Sequence, residues 1–253
     1  MKPPALPLPP VEPRRLYRQI ADQLRGLIDG GEFVAGARLP PERDLAAQLG
    51  VSRPSVREAL IALEVEGRIE VRMGSGIYVR PADAAPPREL APVDSPLETI
   101  RARALIEAEL AANAARRMSA AQLESLNDAL ALMQADAAAG QAPTRGDRLF
   151  HLRIAQASDN SVLLRVVGEL YDERHNPLHA RLGSHFETPD SWAAAIAEHR
   201  AIVEAIARRA PQSARAAMAR HLARSHDRLT ARWPAEAGRR PRSRPPTRQE
   251  PHP

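Results

Sequence analysis

No cysteine occurs among the 253 residues. That excludes disulfides, thiolate metal sites and a cysteine nucleophile. No stretch approaches the roughly 18 uninterrupted apolar residues that a membrane-spanning helix needs. Lysine is nearly absent: Lys2 stands alone among basic residues that are otherwise arginine, a feature of genome composition and not of function. The N-terminal stretch from Pro3 to Pro13 is proline-rich and lacks the charged patch and apolar core of a secretory signal. The expectation is a cytoplasmic protein with no membrane partner.

What is present divides unevenly. Formal charge is +5 overall, with +2 in residues 14–80, −1 in residues 81–231 and +4 from Arg232 onward. The excess therefore sits mainly in an Arg/Pro-rich tail whose composition cannot build a core, so the basic total is weak support for nucleic-acid binding. Punctuation by proline and glycine suggests five segments: a Pro-rich leader at 1–13, a first domain at 14–80, a linker at 81–95, a second domain at 96–232 and a disordered tail at 233–253. The fold class expected is mainly α, a winged helix-turn-helix followed by an all-helical bundle.

In the first domain, Leu16, Ile20, Leu24, Leu27 and Ile28 recur at helical spacing before Gly30 and Gly31. A short helix at 42–49 follows Leu39-Pro40-Pro41. Gly50 supplies the positive φ of a sharp interhelical turn, Ser52 caps a third helix at 53–66 with Val56, Leu60 and Leu63 inward, and residues 68–80 read as a hairpin around Met73–Gly76. Arg53 and Arg57 stand one turn apart at the start of the third helix. Arginines there can fork onto the O6 and N7 atoms of guanine, Ser55 and nearby amides suit phosphate, and Arg43 is placed for the DNA backbone or an adjacent base. The plainer reading of any single arginine, a solvated helix face, weakens when three surround one turn.

The second domain reads as six helices at 96–117, 119–139, 145–157, 161–175, 189–208 and 211–231, with Asn176-Pro177 as a stop. Asp147 and His151 share one face of the third of these. His199 and His221 fall in the apolar stripes of the last two. One buried histidine is more often a satisfied core residue than a ligand. Three with an aspartate would leave several costly buried polar groups unless they share a partner. Imidazole and carboxylate suit zinc foremost, then nickel or manganese. His175, His179, His185, His226 and His252 show no such pattern and are expected at the surface or in loops. Arg103 is either the device that captures a ligand carboxylate in an apolar pocket or the partner of Glu107 in a surface ion pair.

The runs Leu39–Ala46, Leu49–Leu60, Leu63–Gly67 and Gly74–Val79 resemble the GntR family of bacterial regulators. The resemblance implies DNA contact by Arg43, Arg53 and Arg57 at a recognition helix opened by Ser52, Pro54 and Ser55. It also implies a hairpin tip, Gly74, Ser75 and Gly76, in the minor groove. Pro54 departs from the Thr or Ser common there, so its contact differs. Asp147-x-x-Phe150-His151, Glu198-His199-x-x-Ile202 and Ala216–Leu222 resemble the FCD effector domain, in which the Asp and three His hold a divalent metal beside the effector and an arginine matching Arg103 binds its carboxylate. The stretches Glu12–Tyr17, Ile61–Arg72, Ala102–Glu107, His175–Pro177 and Ser191-Trp192 resemble the hexuronate-utilisation repressors within that branch, with Asn176 or Arg174 against sugar hydroxyls.

The expectation is a homodimeric repressor on a palindromic operator, controlled by a small carboxylate such as a hexuronate. Sensing of lactate, gluconate or a dicarboxylate is the alternative. A metal-dependent enzyme is a third reading, against which stands the lack of a paired general acid and base near the ligands. A constitutive DNA-architectural protein is a fourth, disfavoured by the neutral second domain.

Overall fold

The structure, a computed structural model, describes residues 15–72, 74–81, 93–173 and 176–231. The expected leader, residues 82–92 of the linker and the tail lie outside the described residues, as do Arg174 and His175.

The first region runs α1 (Leu16–Asp29), α2 (Glu42–Leu49), α3 (Arg53–Val65), β1 (Ile69–Arg72) and β2 (Gly76–Val79). Gly50 ends α2 at φ 66°, where an L-residue with a Cβ is strained. The Oγ of Ser52 then accepts from the Ser55 amide and caps α3, with Pro54 in a first turn that asks nothing of its missing N–H. β1 and β2 pair antiparallel with Ile69 opposite Val79 and Arg72 opposite Gly76. A bridge from Arg38 to Tyr78 on the other side of β2, not anticipated from the sequence, ties the wing to the segment before α2. The guanidinium of Arg38 lies so close that a Cβ at Gly76 would meet its Nε at 2.5 Å. Gly76 itself sits at φ 134°, a backbone conformation strained for any L side chain.

Among the described residues the second region holds seven helices where six were expected: α4 (Pro96–Arg117), α5 (Ala120–Ala138), α6 (Thr144–Gln156), α7 (Ser161–Asp172), α8 (Pro177–Phe186), α9 (Pro189–Ala207) and α10 (Pro211–Thr230). The additional helix is α8. Asn176-Pro177 starts a helix as well as following one: the Asn176 Oδ1 accepts from the His179 amide at 2.7 Å and Pro177 occupies the first helical position. α4 packs along α10, which lies on α9, while α5 packs against α6 and α9.

Two apolar cores result. One lies wholly within the bundle and includes Phe150, Ile154, Tyr171, Ile202, Met218 and Leu222. The other is shared. Leu60, Leu63 and the rest of the first region's core continue into Leu97, Ile100, Leu178, Leu182 and Leu229 of the second. The recognition helix α3 is therefore buried on its inner side by α8 and the ends of α4 and α10.

Candidate metal centre, ligand pocket and DNA-reading face

Asp147, His151, His199 and His221 come together as the sequence suggested, with one ligand atom from each lying within 4.8 Å of every other. Three elements do the positioning. α6 presents Asp147 in its first turn and His151 one turn later; α9 brings His199 and α10 brings His221. The Nε2 atoms of His151 and His199 are 3.2 Å apart, and Asp147 Oδ1 is 3.2 Å from His199 Nε2 and 3.7 Å from His151 Nε2.

The outward nitrogens decide what these atoms are. His151 Nδ1 donates to Glu107, His199 Nδ1 to the Ala195 carbonyl at 2.7 Å and His221 Nδ1 to Glu198 at 2.9 Å. Each acceptor fixes its ring as the Nδ1–H tautomer and leaves the Nε2 lone pair facing the cluster. Burial pushes the His151 imidazole down, and pushes His221 to about 3, so neutral rings are favoured. Burial alone would raise Glu107, yet Arg103 and His151 hold it at about 2. Likewise burial opposes ionisation of Glu198, but hydrogen bonds from His221 and Arg228 hold it at about 2. The Nε2 atoms of three imidazoles and the Asp147 carboxylate thus face one another across one cluster. That donor set fits a divalent cation held by Asp147, His151, His199 and His221. Sequence reading named the four candidate ligands; it did not assign Glu107 and Glu198 the work of orienting them.

Beside the cluster lies a cavity of about 90 Å³ whose walls include Asp147, His221, Arg103, His179, Trp192 and Arg228. Arg103 is 4% exposed, so its pair with Glu107 lies inside the domain and not at the surface. Its Nε donates to Glu107 at 2.7 Å and another nitrogen reaches the Tyr171 hydroxyl. Its guanidinium carbon stacks 3.9 Å from the Tyr171 ring centroid, and the Tyr171 hydroxyl is 3.4 Å from Asp147 Oδ2. Tyr171 therefore joins the arginine to a candidate ligand. No sequence motif marked it. A second cavity of about 350 Å³ adjoins the first and shares Thr144, His179, Glu187 and Trp192 with it.

Asn176 does not line either cavity. Its side chain caps α8 and donates to Glu173 at 3.4 Å, a structural task that corrects its expected place against sugar hydroxyls. Two histidines expected at the surface are also inside: His179 is 6% exposed, and His185 of α8 pairs with Glu64 of α3 at 2.7 Å. Helical burial of α8, unread in the sequence, explains both.

On the DNA-reading side, Arg43 is exposed beside Asp44, and Arg53 is a third exposed with its Nε on Glu42 at 3.1 Å. Ser52 and Ser55 sit at the exposed start of α3 with their hydroxyls 2.8 Å apart, and Pro54 lies between them. Gly74, Ser75 and Gly76 form the wing tip, where the Ser75 and Tyr78 hydroxyls meet at 2.8 Å.

Arg57 is a correction. It is 2% exposed and cannot reach a base in this arrangement. Its guanidinium forks onto Glu42 at 3.0 and 3.1 Å, donates to the Leu229 carbonyl at 3.1 Å and lies 5.0 Å from the Phe186 ring centroid. Two more side chains of α3 reach the second region. Glu58 accepts from Ser95 at 2.6 Å and from the Leu97 amide at 3.1 Å, and Glu64 accepts from Arg181 at 2.6 Å.

Residues 16–79 match the family of bacterial regulatory proteins named gntR, and residues 98–224 match the FCD domain. Over 224 residues the chain is 37% identical to the Exu regulon transcriptional regulator of Escherichia coli K12, covering 83% of each. It is 34% identical over 225 residues to that organism's Uxu operon transcriptional regulator, covering 85% of this chain and 87% of the relative. At 35% identity over 228 residues it matches an E. coli K12 protein named for regulation of an L-lactate dehydrogenase operon, with 85% and 87% covered. No helix among the described residues is long and apolar enough to cross a membrane.

Proposed function

The chain belongs to the GntR family of bacterial regulatory proteins, with an FCD domain behind its winged helix-turn-helix, and on that premise we propose that it represses genes of hexuronate catabolism. The domain division at 14–80 and 96–232 is part of this reading, as is a homodimer that places two recognition helices on a palindromic operator. Arg43, Arg53, Ser52, Ser55 and the wing tip Gly74–Gly76 meet the DNA, with Arg53 the base-reading arginine in place of Arg57. The effector is a small sugar acid in the cavity between Arg103 and the Asp147, His151, His199 and His221 cluster. A divalent ion bound there, with zinc the first choice, supplies positive charge toward the effector's carboxylate. Arg103 orients that carboxylate while Glu107, Tyr171 and Glu198 hold the surrounding groups in register.

The observation that carries the reading is that the walls of this cavity are also the grip on α3. His179, Phe186 and Glu187 of the α8 region and Leu229 of α10 line the cavity. The same α8 presents Arg181 and His185 to Glu64, and the Leu229 carbonyl binds Arg57. A ligand that prefers one placement of α8 shifts α3 by as much as that preference is worth. The relatives named for the Exu regulon and Uxu operon support the hexuronate class. The lactate-operon relative at similar identity favours, as a second reading, a shorter hydroxy acid in the same site.

Fluorescence anisotropy on DNA from the protein's own promoter, at fixed salt, tests this directly. Galacturonate or glucuronate releases the wild type at sub-millimolar concentration, and Arg103→Ala binds the DNA but ignores the sugar acid. Tight DNA binding that no uronate alters refutes the hexuronate assignment, and release by lactate alone replaces it with the second reading.

A further inference from the structure

We propose that Arg38, which lies outside both the recognition helix and the hairpin tip, is a phosphate clamp of the wing, seated against Gly76 to grip the DNA backbone. The inference rests on the DNA-binding reading above and adds to it a residue just ahead of the Leu39–Ala46 run. The segment before α2 extends the wing by a third, strand-like edge. The Gly36 amide donates to the Val79 carbonyl, the Val79 amide to the Ala37 carbonyl and the Leu39 amide to the Ile77 carbonyl, each at 2.9 Å. Arg38 stands opposite Tyr78. Leu39, Ile77 and Val79 are buried, so strand alternation turns Arg38, Gly76 and Tyr78 to the outer face. Glu70 and Arg72 of β1, opposite Tyr78 and Gly76, share that face.

The arginines around it are already matched to acids. Arg72 donates to Glu70 at 2.8 and 3.0 Å and lies 4.7 Å from the Tyr78 ring centroid. Arg43 pairs with Asp44 and Arg53 with Glu42. Arg38 is exposed and makes no hydrogen bond or ion pair among the described residues. Packing holds it instead. A Cβ at Gly76 would meet the Arg38 Nε at 2.5 Å and its guanidinium carbon at 3.0 Å. The guanidinium therefore fills the space that the glycine leaves, at the base of the Gly74–Gly76 tip. A cation placed there in advance loses less rotamer freedom on binding, and its planar fork matches the oxygens of a phosphate. Phosphate contacts of this kind fix the position of a protein on the duplex without reading its sequence.

The test is fluorescence anisotropy of the full chain over a salt series, on DNA from its own promoter and on an unrelated duplex of the same length, for wild type and Arg38→Gln. Glutamine keeps a polar side chain and removes the charge. The expected result is severalfold weaker binding to both duplexes, with an unchanged thermal melt. The dependence of log affinity on log salt concentration becomes shallower by about 0.9 for each Arg38 on the DNA. An unchanged salt slope overturns the clamp and leaves the DNA-binding reading intact. A loss confined to promoter DNA also overturns it, by making Arg38 a base reader. A wild type that binds neither duplex overturns both. Gly76→Ala tests the seat, because the added Cβ displaces the guanidinium. Arg38→Gln then costs little further affinity in that background, and a full additional loss in the double variant refutes seating by Gly76.

Discussion

Arg57 and Arg103 are built alike and serve different ends. Both are almost fully buried, both pair with a glutamate, and both lie against an aromatic ring, Phe186 in one case and Tyr171 in the other. Arg103 opens onto a cavity that also holds Asp147 and His221, so part of its surroundings is replaceable by a ligand. Arg57 lines neither of the two cavities described above; its donors go to Glu42 and to the last turn of α10. A buried arginine is thus open to a ligand where the packing leaves room beside it and acts as a rivet where its partners close around it. The surrounding carboxylates follow the same division. Glu107 and Glu198 aim histidines inward at a shared centre, whereas Glu58 and Glu64 bind α3 to its neighbours.

The largest expected effect breaks the rivet. Glu42→Ala leaves Arg57 buried without its anion, which costs about 3–5 kcal/mol of stability. Thermal melts read the loss, and a melting curve unchanged from wild type would mean that Arg57 finds water and that the two arginines are not comparable. The next effect belongs to the sensing side. Glu198→Gln weakens the acceptor that orients His221 and lowers divalent-metal affinity by about 10–100-fold, measured by competition with a chromophoric chelator, while the junction at α3 stays intact. Unaltered affinity would remove Glu198 from the centre.

The smallest effect is in pH dependence. Burial alone would raise the Glu64 carboxyl, but His185, Arg181 and the Val71 amide hold it at about 2, below its ordinary 4.5. A depressed carboxylate stabilises the fold fully above its unfolded value and loses that contribution as pH falls from about 4.5 toward 2. Denaturant titrations across that window show a steeper acid loss in wild type than in Glu64→Gln. Parallel curves would show that the α3–α8 contact carries no net charge coupling.

Much of the fold was legible because local chemistry wrote it. The Gly50 turn, the Ser52 cap and the hairpin followed from residues acting on their own neighbours. Periodicity brought Asp147, His151, His199 and His221 into inward stripes, and their convergence is what the structure shows. α8 was missed because its start was read only as an end: proline forbids a helix before it and favours one after it. With α8 missing, His179 and His185 had no reason to be inside and Asn176 had no helix to cap. Arg57 was misread for a related reason. Its place one turn after Arg53 is a statement about the helix alone, and α8 and α10 decide which side of that helix is open.

By itself the sequence determined the order of elements apart from α8, the turn and wing of the first region, and the four residues of the candidate metal cluster, because spacing along a helix fixes which side chains share a face. Tertiary structure alone decided which buried charges border a cavity and which are paired away from it, and that α8 and α10 both wall the pocket and grip α3. Those properties depend on what packs against each face, and no stretch of one chain segment encodes its neighbour across the core.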